Sequence, residues 1–107
     1  MARVLQTPLA KDDLKAIARY IRRETKSRDR AASVLAAIAE RAHTYATAPE
    51  TGELRPDLGD RVRMFVAVNY VCLYLPIHGG IELLRVVHSS RDLPAVWRTQ
   101  TPNDPRE

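Results

Sequence analysis

The residues able to do chemistry crowd one stretch, Ile81-Glu-Leu-Leu-Arg-Val-Val-His-Ser-Ser-Arg-Asp92, where Arg85, His88, Arg91 and Asp92 sit on or just beyond an aliphatic run. A guanidinium keeps its charge and can hold an anion with two parallel hydrogen bonds. An imidazole is the side chain that ordinarily exchanges protons near neutrality. Arg61 and Arg63 add cations at the start of an earlier strand-like run, Tyr70 and Tyr74 can stack on a base, and Trp97 near the end suits an interface. The set can grip an anion, and His88 is its one plausible proton-transfer group.

Each residue also has a plainer reading. Burying Arg85 unpaired would cost several kcal/mol on the order usually estimated, so it must meet an acid such as Asp92 or Glu82, or open onto a sheet face. His88 at a strand end reads more readily as a capping or packing histidine than as a catalyst. Arg91 and Asp92 can lock the strand-to-helix corner by an Arg–carboxylate pair, with Asp92 structural. Tyr70 and Tyr74 share a face and suit packing better than base stacking. Arg61 and Arg63 can be solvated edge charges, Trp97 a lid on the core, and the cationic face of the first helix a soluble surface. His43, His78 and His88 show no ligand spacing, Cys72 stands alone, and no glycine-rich phosphate loop is present. No metal and no cofactor is expected.

The 107 residues suit one domain, and the apolar and charged shares of 45% and 28% are those of a soluble globular chain rather than a disordered one. One cysteine excludes an internal disulfide and fits a reducing compartment. No apolar stretch approaches the length of a membrane span, and the first residues lack a signal-peptide core, so the cytoplasm is the expected location. A net charge of +4 favours an acidic partner, nucleic acid or an acidic protein segment, and is equally compatible with a merely soluble surface.

The elements that must position these groups follow from spacing. Arg3 to Gln6 reads as a strand. Thr7-Pro8 marks a helix start, since a Thr hydroxyl caps the first turn and Pro suits its first position. Ala10, Leu14, Ile17, Ala18 and Ile21 form an apolar stripe opposite Lys11, Asp12, Lys15, Arg19 and Arg22, and this helix ends near Glu24 or Thr25. After a polar link capped at Ser27 or Asp29, Ala31, Val34, Leu35, Ile38, Ala42 and Tyr45 mark a second helix ending at Ala48-Pro49. The pair predicts an antiparallel helical hairpin. Residues 50–60 read as a loop with Leu54 and Leu58 tucked inward. Val62 to Val68 alternates as a strand, and a turn near Asn69, which tolerates left-handed angles, leads to a strand from Tyr70 to Ile77. His78-Gly79-Gly80 turns the chain into the Ile81 strand. Asp92 caps one helical turn over Leu93–Trp97. The prediction is α+β: an N-terminal strand, an antiparallel helical hairpin, a three-stranded antiparallel meander and a short C-terminal helical turn. A single domain spans 1–98, with a flexible polar tail over 99–107.

That order and the local sequences resemble the RelE/ParE superfamily of toxins from type II toxin–antitoxin systems. The matching features are Ala10-x-x-Asp13-Leu14-x-x-Ile17-x-x-Tyr20-Ile21, Pro49-x-x-Gly52, Arg63-x-Phe65, Tyr70-x-x-x-Tyr74 and Leu84-Arg85-Val86-Val87-His88-x-x-Arg91-Asp92. The last of these is similar to the ParE branch.

The resemblance implies a toxin that inhibits DNA gyrase by binding and is neutralised by a cognate antitoxin in a hetero-oligomer. It implies no enzymatic activity, and no sequence-specific DNA binding is expected of the toxin alone. Arg61, Arg63, Tyr70, Tyr74, Arg85, His88, Arg91 and Trp97 are the candidates for contacting target or antitoxin. The alternatives are a RelE-like, ribosome-dependent mRNA endonuclease and a non-toxic relative that retains only antitoxin binding. RNA cleavage without a metal needs a base, an acid and a cation. Arg85, His88 and Arg63 would have to supply them, and Asn69 stands where the nuclease branch usually has Arg.

Overall fold

A computed structural model of the chain describes residues 2–99. Strand β1 (Arg3–Gln6) runs into helix α1 (Pro8–Thr25) at Thr7, whose Oγ1 accepts from the Ala10 amide at 3.1 Å and donates to the Leu84 carbonyl at 2.9 Å. One hydroxyl thus caps the helix and pins its start to the sheet; such a cap contributes about 1 kcal/mol. Helix α2 (Arg28–Thr47) begins on Ser27, whose Oγ accepts from the Arg30 amide, so Ser27 rather than Asp29 is the cap. Between the helices Lys26 turns the chain with φ of +58°.

Residues 50–60, expected as loop, contain structure. A short 3-10 turn (Pro49–Thr51) leads into a two-residue strand, β2 (Glu53–Leu54). Strands β3 (Arg63–Ala67), β4 (Tyr70–Ile77) and β5 (Gly80–His88) follow, and α3 (Leu93–Thr99) closes the described chain. The helix therefore includes Thr99, where the tail was expected to start; residues 100–107 lie outside the described residues. The meander β3–β4–β5 is present, but it belongs to a mixed five-stranded sheet in the order β1-β5-β4-β3-β2. β1 pairs in parallel with β5, from Arg3 opposite Gly80 to Gln6 opposite Leu83. Nothing local in the sequence signals a parallel pairing across more than seventy residues.

The helices cover one sheet face. Ala10, Ile17 and Ile21 of α1 and Ala31, Ile38, Ala42 and Ala46 of α2 pack on Phe65, Tyr70, Cys72, Tyr74, Ile81, Leu83 and Val86. Tyr45 stacks on Phe65 with ring centroids 4.7 Å apart. The opposite face carries a smaller cluster, Val71 and Leu73 beneath Leu58 and Val62, with Leu93 and Trp97 packed against it. Leu58 tucks inward as expected. Leu54 does not: it is 49% exposed, because β2 lies at the sheet edge with no layer above it.

Three backbone details decide where side chains point. A bulge separates Tyr74 opposite Leu83 from Leu73 opposite Arg85, which makes Leu84 the extra residue. It flips the parity of β5, so Ile81 and Leu83 before it and Val86 after it all reach the helical core. At the β3–β4 turn the left-handed residue is Val68, with φ of +58°, not the Asn69 expected to take that role. A β-branched residue there costs about 1–3 kcal/mol, held by Ala67 pairing with Tyr70 on either side of the turn. In the β4–β5 turn Gly79 has φ of +80°, while Gly80 pairs with Ile77 as the first residue of β5; a Cβ on Gly80 would strike the Arg3 backbone.

Burial sets an alkaline limit to stability. The Cys72 thiol, fully enclosed, is pushed up to about 12 by burial, and burial also raises the phenols of Tyr70 and Tyr74. All three stay protonated in the native state while the unfolded chain releases its protons from about pH 9 upward. The stabilisation is therefore complete below the unfolded values and declines as pH climbs through 9 to 12. Denaturation midpoints are expected to fall across that window, and Cys72 is expected to resist thiol reagents until the chain unfolds. A thiol that reacts at native rates for an exposed cysteine would contradict this burial.

Candidate functional site

The chemistry-bearing residues do not gather at one site: Tyr70 meets His88, and Arg85 and Trp97 line one depression with Thr7, Pro8, Leu9 and Leu84. Arg85 is 2% exposed and belongs to the interior. Its Nε and Nη2 donate to the two oxygens of Asp13, at 2.9 and 3.1 Å, and its Nη1 donates to the Val96 carbonyl at 3.2 Å. Asp13 Oδ2 also accepts from the Val86 amide at 2.9 Å. β1 stops at Gln6, so the edge of β5 beyond Leu83 has no strand beside it. The Thr7 amide bonds the Leu83 carbonyl there, and the Asp13 carboxylate takes the next exposed amide. The ion pair thus ties α1, β5 and α3 together. Arg85 is the structural arginine expected, but its partner is Asp13, not Asp92 or Glu82. Asp13 was missed, although the signal was present: it falls on the apolar stripe of α1 between Ala10 and Ile17, where an acid needs a buried cation.

His88 caps its own turn. Its Nδ1 accepts from the Ser90 amide at 3.1 Å and lies 2.8 Å from Ser90 Oγ, while its ring meets Tyr70 edge-on at 5.4 Å. Asp92 caps α3 through the Ala95 amide at 3.3 Å. The Arg91 amide donates to the His88 carbonyl. Tyr70 and Tyr74 are buried, and Tyr74 Oη accepts from the Gly52 amide and donates to the Pro49 carbonyl, so neither ring can meet a base or a partner. Arg63 bonds Gly52 O and Glu50 at the β2 side of the sheet, and Arg61 bonds the Pro76 carbonyl. Trp97 is half-buried against the smaller cluster. Arg63, Arg85 and His88 therefore have separate partners: Glu50 and Gly52, Asp13 and Val96, and Ser90. Among the described residues, no three His, Cys, Asp or Glu side chains gather as a metal site.

The open surface lies on the helical side. Two adjoining depressions share Gln6, Leu14 and Leu35 and form one trough along α1, α2 and the free edge of β1. Val4, Ile38 and Ala42 complete its apolar floor. Lys11, Lys15, Arg19 and Arg22, spaced by four, four and three residues, form a cationic rim. Periodicity marked Leu14, Leu35, Ile38 and Ala42 as apolar face and the four cations as polar face, but it placed neither Val4 nor Gln6 nor the trough, which depends on where β1 docks.

Compared with known proteins, residues 4–93 match the family model described as ParE toxin of type II toxin–antitoxin system, parDE. No curated protein sequence matches the chain. Among solved structures the chain is similar to one titled "Chromosomal ParDE TA system from P. aeruginosa", with a TM-score of 0.66 at 20% identity, over 80% of this chain and 94% of that one. At that identity the likeness is one of fold.

Proposed function

The chain belongs to the ParE toxin family of type II toxin–antitoxin systems, and from that premise we propose that it inhibits DNA gyrase by binding and is held inactive by a cognate antitoxin. The observation that carries the binding reading over cleavage is the state of Arg85. A cation that stabilises a phosphorane must reach the substrate; this one is buried and spent on Asp13 and Val96. His88 has its Nδ1 occupied by its own turn, and Arg63 faces away on Glu50. Among the described residues, Arg63, Arg85 and His88 are held by separate partners and do not form a set of base, acid and cation. The mechanism proposed is docking on gyrase so that its covalently cleaved DNA state persists.

The trough supports the antitoxin half of the proposal. An apolar floor with a lysine and arginine rim suits an acidic amphipathic segment laid helix-in-groove, and the unpaired edge of β1 can accept an added strand. No helix among the described residues is long and apolar enough to cross a membrane. A gyrase target would place the protein in the cytoplasm.

A supercoiling assay tests this reading. Relaxed plasmid with gyrase is expected to stay relaxed as the protein is titrated in, and supercoiling is expected to return when the antitoxin is added in equimolar amount. Supercoiling that proceeds undisturbed at a large molar excess of the protein would count against it.

A further inference from the structure

The whole formal charge of the chain sits at one end of the helical hairpin. Residues 19–30 hold six cations, Arg19, Arg22, Arg23, Lys26, Arg28 and Arg30, against Glu24 and Asp29, which equals the net +4 of all 107 residues. The remaining lysines and arginines are balanced by carboxylates. All six are exposed, and none of their side chains makes an ion pair or hydrogen bond with another described residue. The arginines of the sheet side are used differently: Arg55, Arg63 and Arg85 pair with acids and Arg61 with a carbonyl.

Lys26 adds an independent observation. It occupies the left-handed position after α1, with φ of +58°, where helices ordinarily place Gly or Asn. A lysine there works against stability and holds an ammonium at the tip of the turn.

The geometry points to this crown as a binding site for the phosphate backbone of duplex DNA, independent of base sequence. Arg19 and Arg22 also rim the apolar trough, but Arg23, Lys26, Arg28 and Arg30 line no apolar floor, and cations so placed suit a polyanion rather than an amphipathic peptide. The exposed large apolar residues, Leu5, Leu54, Val66 and Val68, all lie elsewhere. Single strands are held by exposed aromatic platforms, and the one aromatic here, Tyr20, packs against the core. Duplex RNA is read through its 2′-hydroxyls by neutral polar groups. Here Thr25 Oγ1 is bonded to the Ile21 carbonyl and Ser27 Oγ to the Arg30 amide, so neither neutral hydroxyl of the turn is left to read a 2′-hydroxyl. The site stands apart from the gyrase reading, because it is offered DNA by the toxin alone. It also differs from the trough: Arg23, Lys26, Arg28 and Arg30 line none of it.

The test is fluorescence anisotropy of a labelled duplex of arbitrary sequence with the full chain, across a salt series. Four phosphates neutralised give a slope of about −3.6 in log K against log salt, so binding is expected to weaken on the order of a hundredfold between about 50 and 200 mM salt. The combined variant R23Q/K26N/R28Q/R30Q is expected to lose most of the affinity and nearly all of that slope. Its unfolding midpoint should match or exceed the parent's, since the four side chains are exposed and Asn tolerates the left-handed turn. Absence of duplex binding at about 50 mM salt would overturn the assignment, as would a folded variant with the parent's slope. So would tighter binding of single strands or duplex RNA, or capture of an acidic peptide with no binding of duplex. None of these outcomes bears on supercoiling inhibition, which is read in a separate reaction.

Discussion

Replacing Asp13 by alanine is expected to destabilise the native state by about 3–5 kcal/mol, the largest effect of any single substitution outside the apolar core. The change leaves the Arg85 guanidinium at 2% exposure without its carboxylate and orphans the Val86 amide at the open edge of β5. Asparagine fills the same volume but cannot rescue the site. Its one oxygen can still accept from Arg85 Nε and the Val86 amide, but it turns an NH2 group towards Arg85 Nη2 and leaves the buried guanidinium without a counter-charge. Arg85→Ala is expected to match it, by stranding a buried carboxylate and releasing the Val96 carbonyl that holds α3. Arg85→Lys should fail too, because one ammonium cannot reproduce the two-pronged contact. The double change D13L/R85M removes both charges and is expected to recover much of the loss, short of the roughly 1–3 kcal/mol that an unpaired Val86 amide costs. For a domain near this size, 3–5 kcal/mol is a fall in Tm of roughly 12–25 °C. Thermal or urea unfolding monitored by circular dichroism reads it. A loss under about 1 kcal/mol for Asp13→Ala would mean that the pair does not close the interior.

The second large effect concerns the antitoxin. Leu35 lies where the two halves of the trough meet, half-buried on α2. Leu35→Glu puts a carboxylate on the apolar floor, opposite the acidic segment proposed to dock there. Central anchors of this kind are worth about 2–4 kcal/mol, so antitoxin affinity is expected to fall about 30- to 1,000-fold. Lys15→Glu on the rim is expected to act differently, slowing association and flattening or reversing its salt dependence with a smaller change in affinity. Gyrase inhibition by Leu35→Glu should persist without relief by antitoxin. Titration calorimetry decides: affinity within about threefold of the parent would place the antitoxin elsewhere.

The helices and their stripes were legible because a 3.6-residue period is written locally, and so were the caps at Thr7 and Ser27. The meander was legible from alternation and from the glycines at 79 and 80. The parallel union of β1 with β5 was not, since a pairing between Arg3 and Gly80 leaves no local mark. Nor was β2, too short to show a period. Val68 shows tertiary pairing overriding a residue preference, with Asn69 beside it and unused for the left-handed angle. In the basic stretch Arg85 lies in a buried ion pair and His88 bonds its own turn, which is the plainer of the two readings given for each, and the motif carried the family resemblance. What stayed hidden was the partner seventy-two residues away. An isolated acid on an apolar helix stripe was the available clue. The trough stayed hidden for the same reason as β1: its walls are periodic, but its floor exists only once the strand docks.

The account rests on a protein that grips its target and breaks no phosphodiester bond itself. The most direct measurement adds the purified protein to gyrase and supercoiled plasmid, stops the reaction with detergent and protease, and looks for linear DNA. Linear plasmid that appears only when both gyrase and the protein are present is the predicted result. Plasmid left intact with gyrase working normally, while message in a translating extract is cut by the same preparation, would contradict it.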